Sequence, residues 1–227
     1  MNRDKQVFLD FLRGQGTFPV LFEPYLSRRH TETLVWRRGP QLWDTPAHIL
    51  DTLLSQTERT RADVLFVDLR PMTPEEKRES AREILAAKEK APEIGFGVLC
   101  ADEEDLRAGE ASADVLCLYG DLASDRLPVI RMDGTLSDAI RRRDCAWFAQ
   151  EDAEEALREA DGRIRICGGL GIDRLNSPAE VYARVERLTA EFGPSWAVGS
   201  GGEIPESDYL GLIAMLGAYA RVRDSVR

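Results

Sequence analysis

The stretch that decides the fold runs from Cys145 to Pro205. It opens with Cys145-Ala146-Trp147-Phe148-Ala149. It continues through Ile164-Arg165-Ile166-Cys167-Gly168-Gly169-Leu170-Gly171 and ends with Ser195-Trp196-Ala197-Val198-Gly199-Ser200-Gly201-Gly202-Glu203-Ile204-Pro205. Each of these short apolar runs is followed by helical spacing, and the last two end in glycine-rich turns. A (β/α)8 barrel builds its ligand loops in this way, at the carboxyl ends of its strands.

Working outward, the same rhythm fills the chain. Apolar runs at Phe18–Phe22, Val64–Asp68, Ile94–Leu99, Val115–Tyr119 and Val129–Met132 join Ala146–Ala149, Ile164–Cys167 and Trp196–Gly199, which makes eight strand candidates. Several are continuously apolar, as expected of parallel strands covered on both faces. Helix starts are marked by a hydroxyl N-cap, a proline at N1 and a carboxylate at N3, in Thr73-Pro74-Glu75-Glu76 and Ser177-Pro178-Ala179-Glu180. Asp44-Thr45-Pro46 opens a helix through Thr57, and Gly193 suits the end of the helix before it. An extra helix over Asp4–Arg13 precedes the first strand. With no low-complexity run or long linker, residues 1–227 read as one compact α/β domain, a (β/α)8 TIM barrel. The helices after strands four and five are expected to be short. A doubly wound open sheet is the competing architecture, since its ligands also bind at carboxyl strand ends.

Composition narrows the function classes. A net charge of −10 argues against nonspecific nucleic-acid binding and against anchoring to anionic membranes. No run is long and apolar enough to span a bilayer. The amino terminus leads into a charged amphipathic helix rather than a secretory signal, so a cytoplasmic setting is expected. Cys100, Cys117, Cys145 and Cys167 form no CxxC pair and read as reduced, buried hydrophobes.

The ordered series of strand ends resembles the uroporphyrinogen decarboxylase superfamily. Phe18-Pro19-Val20-Leu21-Phe22 is similar to its first strand, which leads into an arginine-bearing loop. Ala62-Asp63-Val64-Leu65-Phe66-Val67-Asp68-Leu69 is similar to its second, which ends in an aspartate. Ile94-Gly95-Phe96, Pro128-Val129-Ile130 and Ala146-Trp147-Phe148 fall where later strands stand. Cys167-Gly168-Gly169-Leu170-Gly171-Ile172 and Val198-Gly199-Ser200-Gly201-Gly202-Glu203-Ile204-Pro205 resemble the two closing turns. The chain is shorter than typical members, with the loss between strands three and five, and Ser200 stands where the family carries a histidine.

The resemblance implies a carboxy-lyase that removes carbon dioxide from acetate side chains of a porphyrinogen or related polycarboxylate, a step of porphyrin biosynthesis. It implies no cofactor, because the protonated pyrrole is its own electron sink. Asp68 would be the catalytic group, accepting pyrrole N–H bonds and stabilising the developing cation. Arg28, Arg29 and His30, with Arg37 and Arg38 nearby, would receive substrate carboxylates, for which arginine offers a bidentate fork. Gly168, Gly169, Ser200, Gly201 and Gly202 would allow close approach of substrate to backbone. Tyr119, Asp121 and Asp133 end strands four and five and could face the same mouth. Against these stand plainer roles: Asp68 pairing with Arg70, a solvated arginine loop, and glycines that serve turn geometry alone. A corrinoid-linked methyltransferase relative is the alternative enzyme and would use zinc. Only Cys167 suggests a ligand, and no metal is expected. A non-catalytic anion-binding barrel and a phosphate-handling barrel complete the set. The expected partner is an anionic small molecule, and a homodimer is left open.

Overall fold

The computed structural model describes residues 4–24, 26–172, 175, 177–202, 204 and 208–226. Glu203 and Pro205 of the closing motif lie outside them. Helix α1 spans Lys5–Leu12, and β1 spans Val20–Leu21. Helices α2 (Arg28–Val35) and α3 (Pro46–Thr60) follow. Then come β2 (Val64–Asp68), α4 (Pro74–Lys90), β3 (Gly95–Cys100), α5 (Glu103–Ser112), β4 (Val115–Leu118) and β5 (Val129–Arg131). The chain ends with α6 (Leu136–Arg142), β6 (Ala146–Ala149), α7 (Ala153–Ala160), β7 (Arg165–Gly168), α8 (Pro178–Phe192), β8 (Trp196–Val198) and α9 (Tyr209–Ser225).

The eight strands are parallel and lie in the order β1-β8-β7-β6-β5-β4-β3-β2. The first strand pairs with the last, which a doubly wound sheet does not do, so this is a nearly closed (β/α)8 barrel. Strand parity sorts the side chains. Val64, Phe66, Cys117, Ile130, Phe148 and Cys167 fill the lumen, while Leu65, Val67, Leu116, Ile166 and Val198 pack under the helices. Both faces are therefore apolar, which explains the unbroken hydrophobic runs. Phe8 and Phe11 of α1 plug the lower end, and Phe8 meets Phe66 at 6.1 Å between ring centroids. Phe22 lies 4.9 Å from Phe66 and 5.7 Å from Phe148 and roofs the lumen.

Two expectations need correction. No helix forms between β4 and β5; residues 119–128 cross over as a ten-residue loop. Arg131, on the outer face of β5, takes the place of a helix there. Its guanidinium pairs with Asp144 at 2.9 Å and donates to the carbonyls of Gly120 (2.9 Å) and Leu122 (2.8 Å). Residues 28–30, expected in a loop, form the first turn of α2, because the Ser27 side chain caps the His30 N–H at 3.2 Å.

The barrel has one seam without a ladder. β1 bonds only β8, pairing Val20 with Ala197 and Leu21 with Val198. Pro19 and Pro24 flank it and supply no N–H, which keeps it short. Side chains close the seam instead. Asp63, just ahead of β2, accepts from Arg223 of α9 at 2.6 and 2.7 Å and from the Asp4 N–H at 3.1 Å. Arg223 also bonds the Tyr219 hydroxyl, and both Asp63 and Arg223 are buried. Burial pushes the Tyr219 phenol above its ordinary pKa.

Breaking a buried pair strands a charge, which typically costs about 3–5 kcal/mol. Asp63→Ala is therefore expected to lower the thermal midpoint by about 6–20 °C, at roughly 2–4 °C per kcal/mol for a chain of this size. Calorimetry checks this; an unchanged midpoint would remove the pair from the account of the seam.

Candidate active site

At the carboxyl ends of the strands, parity turns Asp68 and Tyr119 toward the lumen side of the mouth. Asp68 stands two residues above Phe66, and Tyr119 two above Cys117. Arg70 joins them. Its Nε donates to Asp68 Oδ1 at 2.8 Å and its Nη2 to Oδ2 at 2.7 Å, with its backbone N–H adding a third bond at 3.1 Å. The same guanidinium lies 4.7 Å over the Tyr119 ring. The Asp68 and Arg70 side chains are 39% and 33% exposed, so the pair faces solvent at the mouth. The carboxylate is acceptor-only when ionised, and a bidentate fork fixes its plane.

Tyr119 is itself held on two sides. Its N–H donates to the Cys100 carbonyl at 3.0 Å, and the next N–H, of Gly120, donates to Asp133 Oδ2 at 2.8 Å. Asp121, by contrast, points outward and pairs with Arg142.

Arg28, Arg29 and His30 do not form one patch. Successive helical residues diverge, so Arg28 and Arg29 are exposed while His30 is buried. Arg28 lies 5.4 Å over the Trp43 ring, and His30 stacks on Tyr209 at 6.2 Å. Arg37 pairs with Asp51 at 3.1 Å.

The two closing turns knit to each other. Leu170 N–H donates to the Gly199 carbonyl at 3.1 Å, and Gly171 N–H to the Ser200 carbonyl at 2.9 Å. Trp196 Nε1 donates to the Gly168 carbonyl at 2.8 Å, which makes that tryptophan part of the core. Gly169 accepts from the Ala153 N–H at 2.9 Å and so ties the turn to α7. Gly201 has φ +98°, and a Cβ there would stand 2.6 Å from the Gln150 carbonyl oxygen. Gly202 has open space around it. The buried Glu23 carboxylate accepts from Ser200 N at 2.8 Å and lies 3.0 Å from Ser200 Oγ. Glu23 thus occupies the turn to which an anion would be drawn. The amides of Ser200, Leu170 and Gly171 are engaged within the protein rather than aimed at a ligand.

Next to the mouth a cavity of about 510 Å³ opens between the turn into α6 with its first residues (133–137), the end of β6 and α7. Its rim carries Asp133, Glu151, Asp152, Glu155 and Glu159. The mouth is therefore asymmetric, with Arg70 on the β2 side and carboxylates on the β6 side.

The residues present do not fit a zinc centre. Cys117 and Cys167 are wholly buried in the lumen, and that burial pushes both thiols well above their ordinary pKa. Burial does the same to Cys100. No group of three or more His, Cys, Asp or Glu side chains is placed to hold a metal among the described residues. Among them, too, no helix is long and apolar enough to cross a membrane.

Two expectations follow. The thiolate is the reactive form, so in the native protein a thiol reagent near neutral pH should modify the half-buried Cys145 and leave Cys100, Cys117 and Cys167 untouched until the chain unfolds; counting modified thiols with and without denaturant checks this. Gly201→Ala is expected to cost about 1–3 kcal/mol through strained backbone, while Gly202→Ala stays within about 0.5 kcal/mol. Urea midpoints of the two variants compare them directly.

No protein-family model matches the chain, and no curated protein matches it. Among solved structures it is similar to a methyltransferase from Methanosarcina mazei, with a TM-score of 0.70 over 96% of this chain and 98% of that one, at 12% sequence identity. At that identity the likeness is one of fold, a barrel of matching extent.

Proposed function

We propose that the protein is an enzyme of the uroporphyrinogen decarboxylase-like kind, acting on an anionic small molecule at the β2–β4 side of the barrel mouth. The observation that carries the reading is the oriented carboxylate of Asp68, held by Arg70 above an aromatic floor of Phe22, Phe66 and Phe148. An exposed ion pair of this sort adds little stability, about 1 kcal/mol or less. Its position suits it instead to chemistry. A substrate carboxylate can displace one arm of the Arg70 fork, and Asp68 can then accept N–H bonds from a ring that gains positive charge. Decarboxylation of an acetate side chain on such a ring uses this stabilisation directly, because the electron pair of the breaking C–C bond returns to the protonated ring. The family resemblance of the strand ends supports the same chemistry.

Methyl transfer is the second reading, favoured by the barrel of matching extent in the methyltransferase. The corrinoid- and zinc-linked form of it is the weaker one, because the lumen thiols do not suit a metal.

Anaerobic incubation with uroporphyrinogen, followed by chromatography of the oxidised products, tests the first reading. Products with fewer carboxylates are expected. Asp68→Asn should then lower kcat by roughly 10²–10³, the usual effect of removing one preorganised electrostatic group, with the fold intact. A folded sample that yields no such product retires decarboxylation of this substrate. Normal turnover by Asp68→Asn removes Asp68 from the mechanism.

A further inference from the structure

We propose that an ordered water molecule bridges β1 and β2 within the barrel wall, in the place of the missing ladder. In a parallel strand the N–H and C=O of one residue point to the same side, and those of the next residue to the other. Phe22 N–H donates to the Val198 carbonyl at 2.8 Å, so Val20 and Phe22 are committed to β8 and the Leu21 peptide groups turn to the seam. On β2 the Asp63 carbonyl accepts from the Gly95 N–H at 2.8 Å, which commits the odd-numbered residues to β3. Val64 and Phe66 therefore face the seam from the other side. Among the described residues no hydrogen bond reaches these seam-facing groups.

Leu21, Val64 and Phe66 are all buried. A buried peptide group without a partner is costly, and native structures satisfy nearly all of them, with ordered water where the protein supplies nothing. The space for such a partner is present. A cavity of about 30 Å³ lies against these three residues. Housing one water takes about 10–15 Å³, so water fits there and a larger ligand does not.

The helix side of the cavity is polar as well, which separates it from the apolar kind that stays dry. Helix α3 covers the seam there with Gln56, Thr57 and Thr60. Both threonines are buried, on a helix face where valine would have the same shape. Each hydroxyl donates to its own helix, Thr57 to the Leu53 carbonyl at 2.8 Å and Thr60 to the Gln56 carbonyl at 3.2 Å. Each keeps its capacity to accept. A water in the cavity accepts from a strand N–H and donates to a strand carbonyl and a threonine hydroxyl, which meets the usual complement of about three bonds. Bridging water of this kind is nearly as favourable as a direct bond, so it can join two strands that side chains hold too far apart to pair.

Water-to-amide NOE and ROE spectra of the isotope-labelled full chain test this. Cross-peaks of a long-lived water are expected at the Leu21 and Phe66 amides. A crystal structure supplies a second readout, with an ordered water expected within about 3.2 Å of the backbone of both strands. Thr57→Val keeps the shape and removes one acceptor. Amide exchange at Leu21 should then rise about fivefold, as for the loss of one ordinary hydrogen bond. The two wild-type readouts stand whether or not that variant folds. Water cross-peaks at neither amide overturn the proposal. A crystal structure in which Leu21 and Phe66 bond each other directly, or in which the cavity carries no water density, also overturns it, as does unchanged exchange in Thr57→Val.

Discussion

Between β1 and β2 the barrel is closed by side chains rather than by a hydrogen-bonded ladder, and the buried Asp63–Arg223 pair carries that closure. One carboxylate gathers three separate parts of the chain: the Asp4 backbone ahead of α1, the start of β2, and the last turn of α9. β1, two residues long and bonded on one side, has its other edge covered by side chains, with Phe22 meeting Phe66 across the seam. The pair is fully desolvated, so each charge depends on the other being present. The pair lies at the lower end, while Glu23 and Ser200 tie the upper ends of β1 and β8. Stability and the candidate site are thereby kept at opposite ends of the same seam, as the two ends of such barrels commonly divide their duties.

The proposed anionic substrate sets an electrostatic problem for a chain of net charge −10. The long-range field repels such a ligand, so local positive charge has to do the recognising. Exposed arginines on α2 are screened by solvent and salt. Arg70 stands closer to the lumen, and its charge is partly cancelled by Asp68. On the proposed reading, cancellation would make it a selective receptor rather than a strong one: a ligand would gain from Arg70 only by giving Asp68 something to accept in exchange. A group with both a carboxylate and ring N–H donors meets that condition. Simple phosphate does not, and the engaged amides of the closing turns offer it no cradle.

Much of the fold was legible because burial on both faces writes itself as continuous apolar runs. Val64–Asp68 and Ala146–Ala149 begin and end where the hydrophobicity does. The capping signals at Thr73 and Ser177 mark their helices to the residue. The apolar run overstates the first strand, since hydrophobicity continues at Phe18 and Phe22 while the flanking prolines cut the hydrogen bonds. The absence of a helix after β4 was not legible as such: ten residues allow a short helix, and only the outward Arg131, buried under the loop, decides otherwise. At the site the aspartate was legible as a charge ending an apolar strand. Its partner was visible only as the plainer role for Asp68, and its stacking on Tyr119 was not visible at all, because that contact joins strands two apart in the barrel. Tyr119 itself was legible as a strand end able to face the mouth, and period-2 counting on β4 puts it on the lumen side. Glu23 carried none, since a lone carboxylate after a strand is indistinguishable from a solvated one until Ser200 is seen to reach it.

The β4–β5 crossover and the candidate site are one mechanical unit. Arg131 gathers the carbonyls of Gly120 and Leu122, while Asp133 accepts the Gly120 N–H. These bonds fix the loop where Tyr119 leaves β4. Tyr119 supports the Arg70 guanidinium, and Arg70 sets the plane of the Asp68 carboxylate. Losing a helix between β4 and β5 would ordinarily loosen the mouth, since loops without supporting elements are mobile. Here a buried guanidinium, satisfied by a carboxylate and two carbonyls, replaces the helix with a rigid strut. Tyr119, the first residue after β4, lies within stacking distance of Arg70 in the turn after β2. The braced β4–β5 crossover therefore explains how the Asp68 carboxylate is held.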